Sequence, residues 1–325
     1  MRHAQRGVAL ITVLLVVAIV TVVCAGLIAR QQLAIRSTSN QMQARQAWHY
    51  ALGGEALAQA ILSRDLKTPG SNPQQPVDHL REAWAKPLPV FPIDQGEIAV
   101  RIEDPTGRFN LNNLVQQRQL NQPAYQQFQR LLMLLGLQPG YADRLVDWLD
   151  ADQEPRGEQG AEDNQYLLLD PPYRTANREL TDVSELRLLL GMSDLEFRRL
   201  APYVTALPAG TALNVNTASA MVLATLVNPP NPSVGEELVA GRREEGYRDL
   251  NAFISQPALA GAGQQNQKLS VGSNYFLAIS EVRVADRKQV LVSLLQRENT
   301  GRIRVLQRNL GRQAILPVAQ RGDEE

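Results

Sequence analysis

Residues 6–15, RGVALITVLL, open an apolar run in which no residue from Val8 to Ala29 is charged. As an α-helix that rises about 1.5 Å per residue, this run is long enough to cross the hydrocarbon core of a bilayer, which is about 30 Å thick. Two arginines precede the run, and Arg30 and Arg36 follow it. Because positive charge is densest at the short leading end, we expect that end to stay cytoplasmic and the remainder to be exported.

Three kinds of export signal compete with a plain membrane anchor for this run. A cleaved secretory signal ends at a small-x-small site, and none is well placed. A lipoprotein signal needs a small residue before its cysteine, but Val23 precedes Cys24. The third signal is cut at Gly7–Val8, which leaves the apolar helix on the mature protein. That arrangement resembles the class III signal of type IV pilins and pseudopilins.

Position 12 distinguishes this chain from most pilin-like proteins. They generally carry Glu at the fifth mature position, where this chain has Thr12. A carboxylate inside the membrane is costly unless it is paired, and in these filaments its partner is the amine of the subunit ahead. A subunit with no neighbour ahead needs no such carboxylate. With its 325 residues, the chain resembles the minor pseudopilin K family of the type II secretion system (general secretion pathway protein K).

The resemblance implies a location, a function and partners. It implies a single-pass inner-membrane protein whose bulk is periplasmic and which caps the tip of a periplasmic pseudopilus, helping to initiate the filament and export across the outer membrane. A prepilin peptidase would cut before Val8 and methylate the new amine. Its other partners would be the minor pseudopilins I and J, further pseudopilins and the inner-membrane assembly platform.

The predicted fold class is α+β, with a long helix packed on a small antiparallel sheet, as in pilins, and a large all-α domain inserted into it. The helix is expected to continue to about Arg64, because small residues recur along one face. Residues 68–92 are rich in proline and predict an irregular connection. Alternation of polar and apolar residues predicts strands at 97–103, 275–284, 290–296 and 303–306.

The middle of the chain has helical signals. Pro123 and Gly136 stand where a helix typically begins and ends, and residues 193–196 form a capping box. Further helices are expected at 140–149, 183–190 and 217–226. The expected divisions are a leader at 1–7, a membrane span at 8–29, a pilin-like domain at 30–108 and 269–325, and an inserted helical domain at 109–268.

The composition limits the possible functions. Lys plus Arg and Asp plus Glu both number 33, which argues against a nucleic-acid partner. The only cysteine, Cys24, lies in the apolar run, so the exported part has no disulfide. The sequence contains no nucleophile elbow, phosphate loop or zinc-protease motif, and an aromatic content of 5% disfavours a sugar cleft. We therefore predict that the protein is not an enzyme.

Residues 143–163 form an acidic segment with eight carboxylates and two arginines. Such density is unfavourable unless it is solvated or neutralised by a cation. Ligands that offer only oxygen favour Ca²⁺ over transition metals, although the spacing is not that of an EF-hand. The residues alone leave a solvated loop and a calcium site equally open, whereas the resemblance implies calcium in the inserted domain. The candidate ligands are Asp150, Asp152, Glu158, Glu162 and Asp163.

A second motif supplies an alternative function. Residues 213–220 and 241–250 resemble the helix-hairpin-helix of DNA-uptake proteins, which holds phosphate through backbone N–H groups of a Gly-x-Gly hairpin. Here the hairpin, VNPPNPSVG at 227–235, has three prolines and one glycine, and proline has no N–H to donate. We expect this segment to serve packing or partner contact. A membrane-anchored DNA-binding protein is the alternative.

Overall fold

The structure is a computed structural model that describes residues 6–67, 75–260, 268–285 and 287–310. Its longest element is α1, Arg6–Asp65, an uninterrupted helix. Residues 9–45 of α1 project away from the rest of the molecule and are almost all exposed. Among the described residues, α1 is the one helix long and apolar enough to cross a membrane. The predicted continuation of the helix to about Arg64 is confirmed.

The remaining helices are short and lie between residues 122 and 254. The helix predicted from Pro123 and Gly136 and the capping box at Ser193 and Glu196 are confirmed. Residues 183–188 form a 3₁₀ helix. The helix predicted at 217–226 begins later, because the Ser219 side chain caps it by accepting from Val222 N. The bounds are α2 Gln122–Leu134, α3 Tyr141–Leu149, α4 Asp163–Tyr166, α5 Asp194–Leu200, α6 Ala220–Ala224, α7 Pro232–Ala240 and α8 Leu250–Ile254.

The strands fall into one main sheet and three pairs of very short strands. The bounds are β1 Phe91–Ile93, β2 Gly96–Glu103, β3 Phe109–Asn110, β4 Val115–Gln116, β5 Gln119–Leu120, β6 Val204–Thr205, β7 Leu213–Asn214, β8 Leu269–Ser270, β9 Tyr275–Val284, β10 Arg287–Arg297 and β11 Ile303–Leu310. The main sheet is antiparallel with the order β1-β2-β9-β10-β11. Because β2 pairs directly with β9, everything between them is an insertion into the pilin-like domain.

One strand of the main sheet was not expected from the sequence. Residues 91–93 belong to the segment predicted to be an irregular connection, but they form the edge strand β1 and pair with β2. Pro92 is tolerated there because an edge strand has backbone N–H positions that need no partner in the sheet. Within the predicted connection, residues 68–74 lie outside the described residues, and residues 75–90 are irregular.

The second half of α1 packs on the main sheet through its face of small residues. Ala47, Ala51 and Ala58 are buried in this contact. A Cβ added to Gly54 would collide with the hydroxyl of Ser280 on β9. The missing side-chain bulk lets the helix approach the strands closely, as the predicted small-residue face requires.

A buried charge fastens the last strand to α1. Glu55 is 4% exposed, and its Oε2 accepts from Ser293 Oγ at 2.6 Å and from Arg308 Nε at 2.7 Å. The neighbouring guanidinium compensates a carboxylate that would otherwise be costly to bury. Strand β11 is thereby fixed to the helix as well as to β10.

The insertion has two hydrophobic cores. The first gathers side chains from α2, α3, α4 and α5, and the second gathers side chains from α6, α7 and α8. The largest fully buried aromatic residues are Phe128, Tyr141, Tyr166 and Phe197 in the first core and Phe253 in the second. The predicted inserted helical domain therefore consists of two packed units.

The insertion was predicted to be all-α. Its longest elements are helices, but it also contains the three short strand pairs. Strands β3 and β6 are parallel, β4 and β5 form a hairpin, and β7 and β8 are parallel. The connections between the short helices are extended here. Their strand pairing gives hydrogen-bond partners to backbone N–H and C=O groups that are buried away from water. Because β8 pairs with β7, the insertion continues past the expected boundary at residue 268.

Candidate functional site

The residues of the predicted cleavage site lie at the start of α1. The described part of the helix includes Gly7 and Val8, whereas residues 1–5 of the predicted leader lie outside the described residues. Thr12 is exposed, and its Oγ1 donates to the carbonyl of Ala9 at 2.9 Å. At the fifth position after the predicted cut, the chain therefore presents a hydroxyl that its own helix satisfies.

The acidic segment is folded around Asp147. This residue of α3 is fully buried, and its carboxylate accepts from the backbone N–H of Arg156 at 3.1 Å and of Ala161 at 2.8 Å. A Cβ on Gly160 would collide with this carboxylate and with the backbone of Arg156. The glycine and the buried carboxylate together close residues 147–161 into a compact loop.

Three of the five predicted ligands come together on this loop. One carboxylate oxygen each from Asp150, Asp152 and Glu162 lies within 4.8 Å of the others; we call this group the loop cluster. Glu158 is exposed and lies outside it. Asp163 points to other partners, because Arg174 Nη1 donates to it at 3.2 Å and the backbone N–H of Thr175 at 3.0 Å. The structure therefore brings three of the predicted ligands together and places Glu158 and Asp163 outside that group.

The loop cluster has oxygens without a protein partner. Glu162 is 1% exposed, and its Oε1 has no hydrogen-bond donor among the described residues; the same holds for Asp150 Oδ1. The nearby arginines, Arg156 and Arg174, form ion pairs with Asp143 and Asp163 instead. Burial, helped by neighbouring carboxylates, raises the pKa of Glu162 to about 8 and that of Asp150 to about 6. Among the described residues, no arginine or lysine forms an ion pair with Asp150, Asp152 or Glu162.

Other residues around the loop cluster could not be found from charge spacing. Thr175 Oγ1 and Gln153 Nε2 each lie 3.4 Å from Glu162 Oε2. Asn177 has a positive φ of 47° and a buried Oδ1 without a partner among the described residues, and it lines one cavity with Asp150. These neutral side chains carry no charge signal. The one hint that the sequence offers is the residue type of Asn177, because Asn adopts the left-handed backbone conformation more often than most residues.

A second group of three carboxylates lies where α1 ends, at Asp65, and was not expected from the sequence. Asp65, Asp78 and Glu82 also have oxygens within 4.8 Å of one another; we call them the helix-end cluster. Arg297 of β10 lies among them, 2% exposed, with Nη1 2.9 Å from Asp65 and Nη2 2.5 Å from Asp78. Burial raises the pKa of Asp78 to about 6 and that of Glu82 to about 7.

The helix-hairpin-helix resemblance corresponds to two closely packed helices. A Cβ on Gly235 of α7 would collide with the backbone of Ala220 at the start of α6. Arg242, a candidate phosphate contact, points inward instead: its guanidinium donates to the carbonyls of Val215 and Ala218, and burial lowers its pKa to about 10. The arrangement supports packing, and the DNA-binding alternative loses one of its basic residues.

Comparison with known proteins identifies the family. Models of the type II secretion system protein K match residues 107–209 and 213–272. The type II secretion system protein K of Pseudomonas aeruginosa is 56% identical over 100% of this chain and 98% of its own length. The chain belongs to the type II secretion system protein K family. The family protein of Klebsiella pneumoniae is 38% identical over 92% of this chain and 94% of its own length.

A solved structure has the same fold. A chain in the crystal structure of the GspK-GspI-GspJ complex from the type 2 secretion system of enterotoxigenic Escherichia coli matches with a TM-score of 0.75 and 30% identity, over 85% of this chain and 99% of that chain. The protein K family is a structural component of a secretion system. The two family models meet between the two cores of the insertion.

Proposed function

We propose that this chain is the minor pseudopilin that caps the tip of the type II secretion pseudopilus and helps to initiate filament assembly, and so supports protein export across the outer membrane. The observation that carries the proposal is Thr12, whose hydroxyl donates to its own helix. A residue without charge has no need of the amine of a subunit ahead. The bulky insertion between β2 and β9 would obstruct a further subunit.

The proposed location is the inner membrane, crossed once by the first part of α1. Its support is the uncharged run between Val8 and Ala29 and the basic leading end. In this orientation the N-terminus is cytoplasmic, and the sheet and insertion are periplasmic. After cleavage and methylation at Val8, α1 leaves the bilayer for the filament.

The proposed partners are the minor pseudopilins I and J. The similar solved structure is a complex with GspI and GspJ, and the likeness extends over most of this chain. The remaining partners follow from the pseudopilin role, namely other pseudopilins, the prepilin peptidase and the inner-membrane assembly platform. The exposed first part of α1 offers the apolar surface that packing in a filament requires.

We also propose that the loop cluster binds Ca²⁺. Calcium takes oxygen ligands at about 2.3–2.6 Å, so two ligands on opposite sides of one ion are about 5 Å apart, which suits oxygens within 4.8 Å. The unpartnered oxygens of Asp150 and Glu162 are the groups such an ion would satisfy. Asp152 would supply a third carboxylate. The bound ion would stabilise the loop and the start of α4.

Mass spectrometry of the mature membrane protein tests the processing step. We expect a methylated Val8 at the N-terminus and no leader. Gly7→Ala should keep the leader and block assembly, whereas the matched variant Gly26→Ala, at a glycine with no neighbouring atom within 4 Å, should be processed normally. An intact Met1 in the wild-type membrane protein would identify a plain membrane anchor instead.

Filament length tests the capping role. If each copy of this chain ends one filament, raising its expression relative to the major pseudopilin should shorten the pseudopili in proportion. The uncleaved Gly7→Ala protein, expressed to the same level, should leave the length unchanged because it cannot enter the filament. Unchanged filaments with excess wild-type protein would contradict the capping role.

A further inference from the structure

The part of α1 just beyond the apolar run carries only positive charge. Arg30, Arg36 and Arg45 are exposed, and the first acidic residue after the run is Glu55. The main sheet begins to cover the helix only at Ala47. The sixteen residues from Arg30 to Arg45 therefore carry positive charge that no acidic residue of this stretch balances.

The β9–β10 hairpin adds a further arginine to this region. Arg287 follows the turn and shares a shallow groove with α1, and no acidic side chain of the described residues lines that groove. Arg283 and Lys288 lie on the same hairpin, but they are paired with Glu97 and Glu281. The groove is lined by Leu33, Arg36, Ser37, Asn40, Gln41, Ala44 and Arg287.

The groove lies at a defined height above the apolar run. Arg36 is seven residues beyond Ala29, which is about 10 Å along a helix. The polar headgroup layer extends about 5–8 Å beyond the hydrocarbon core on each side. A long arginine side chain bends back toward the interface readily, so the guanidinium of Arg36 can reach the level of the lipid phosphates. Arg287 lines the same groove.

We propose that this groove binds the phosphate of a membrane phospholipid while the subunit is still in the bilayer. The inference rests on the proposed orientation of α1. Guanidinium groups donate two parallel hydrogen bonds to phosphate oxygens. The contact seats the periplasmic body on the outer leaflet, and it is given up when α1 enters the filament.

Lipid competition in nanodiscs tests the proposal with the full chain. Nanodiscs contain equal amounts of phosphatidylglycerol and phosphatidylcholine, and native mass spectrometry measures which lipid stays bound to the released protein. We expect the wild type to prefer phosphatidylglycerol, and Arg36→Gln and Arg287→Gln each to reduce that preference about fivefold. Arg283→Gln, on the same hairpin but paired, should retain it.

Several outcomes would overturn the proposal. One is equal retention of the two lipids by the wild type. Another is retention of inorganic phosphate, added to phosphatidylcholine nanodiscs, without any preference for phosphatidylglycerol. A third is a double variant that keeps the lipid preference but no longer assembles with other pseudopilins, which would identify the groove as a protein contact. Protease protection of the N-terminus in the same nanodiscs tests the orientation separately, so a wrong orientation is distinguishable from an empty groove.

Discussion

The loop cluster and the helix-end cluster bring three carboxylates together at the same density, with oxygens within 4.8 Å in each group. They differ in what neutralises them. In the helix-end cluster, buried Arg297 forms ion pairs with two of the carboxylates. In the loop cluster, no lysine or arginine of the described chain forms an ion pair with any of the three, and two of their oxygens have no donor there.

The difference separates a structural charge cluster from a candidate ion site. Where the fold supplies its own cation, the carboxylates hold α1, the connection after it and β10 together. Where the fold supplies no arginine or lysine, the three carboxylates must be solvated, protonated or neutralised by an ion. Acidic residues alone do not distinguish the two cases; the position of one arginine does.

The largest effect is expected where the internal cation is removed. Arg297→Met leaves Asp65 and Asp78 without their cation, and breaking a buried pair in this way costs about 3–5 kcal/mol. Urea unfolding of the full chain in detergent measures the free energy of unfolding. The control Arg304→Met breaks an exposed pair with Glu298 and should cost less than about 1 kcal/mol. Equal losses in the two variants would show that the helix-end cluster does not depend on its arginine.

The second-largest effect on stability is expected when Ca²⁺ is added to the loop cluster. At a hundredfold excess over its Kd, Ca²⁺ stabilises the folded state by about 2.7 kcal/mol, which is a shift of several degrees in Tm. Mg²⁺ should do less, because it requires tighter geometry and releases water reluctantly. Thermal unfolding in EDTA, Ca²⁺ and Mg²⁺ measures the difference.

Matched variants locate the ion. Asp150→Asn with Asp152→Asn should abolish the calcium shift. Asp143→Asn should keep most of the shift, because Asp143 lies on α3 and accepts a hydrogen bond from Tyr125. Glu158→Gln should also keep it, because this carboxylate is exposed outside the cluster. Identical melting curves in all three solutions would show a solvated loop, and loss of the shift in Glu158→Gln would return that residue to the ligand set.

A substitution that changes the shape of the loop should have a smaller effect on the free energy of unfolding. Gly160→Ala places a Cβ against Asp147 and the backbone of Arg156, and such overpacking costs about 1–3 kcal/mol. It should also reduce the calcium shift, because the loop that carries the cluster must move. Gly53→Ala, with open space around the new Cβ, should change stability by no more than about 1 kcal/mol, in the stabilising direction. Calorimetry with and without calcium checks both values.

The smallest effect concerns the pH dependence of the helix-end cluster. Because the pKa of Glu82 is raised to about 7, its proton is held more tightly in the folded state, and the free energy of unfolding falls as pH rises from about 4.5 to about 7. Glu82→Gln removes the part of this fall that Glu82 contributes, while Asp78, whose pKa is raised to about 6, keeps its own part. A shift of this size corresponds to about 2.5 kcal/mol between pH 5 and pH 8, and the partial solvent exposure of Glu82 reduces it to about 1 kcal/mol. The free energy of unfolding of the variant minus that of the wild type should therefore be about 1 kcal/mol more positive at pH 8 than at pH 5. Glu97→Gln, at an exposed pair with Arg283, should show no such difference.

Local signals in the sequence predicted those helices and strands whose formation depends on residues close together in the chain. The long α1, the capping box at Ser193 and the alternation in β2 and β9 were all predicted and are present. Each depends on propensity, capping or periodicity within a few residues of the chain. The two parallel strand pairs of the insertion were missed, because their partners lie far apart in sequence. The β4–β5 hairpin was missed although its partners are close in sequence.

The candidate sites show the same division. By itself, the sequence determined that eight carboxylates lie within residues 143–163 and that an uncharged run precedes the rest of the chain. Only the tertiary structure decided that Glu162 joins Asp150 while Glu158 does not, and that Arg297 reaches Asp78, 219 residues away. The physical reason is that charge density is a property of composition. Neutralisation depends on which distant side chains the packing of α1, the sheet and the insertion brings within hydrogen-bonding distance.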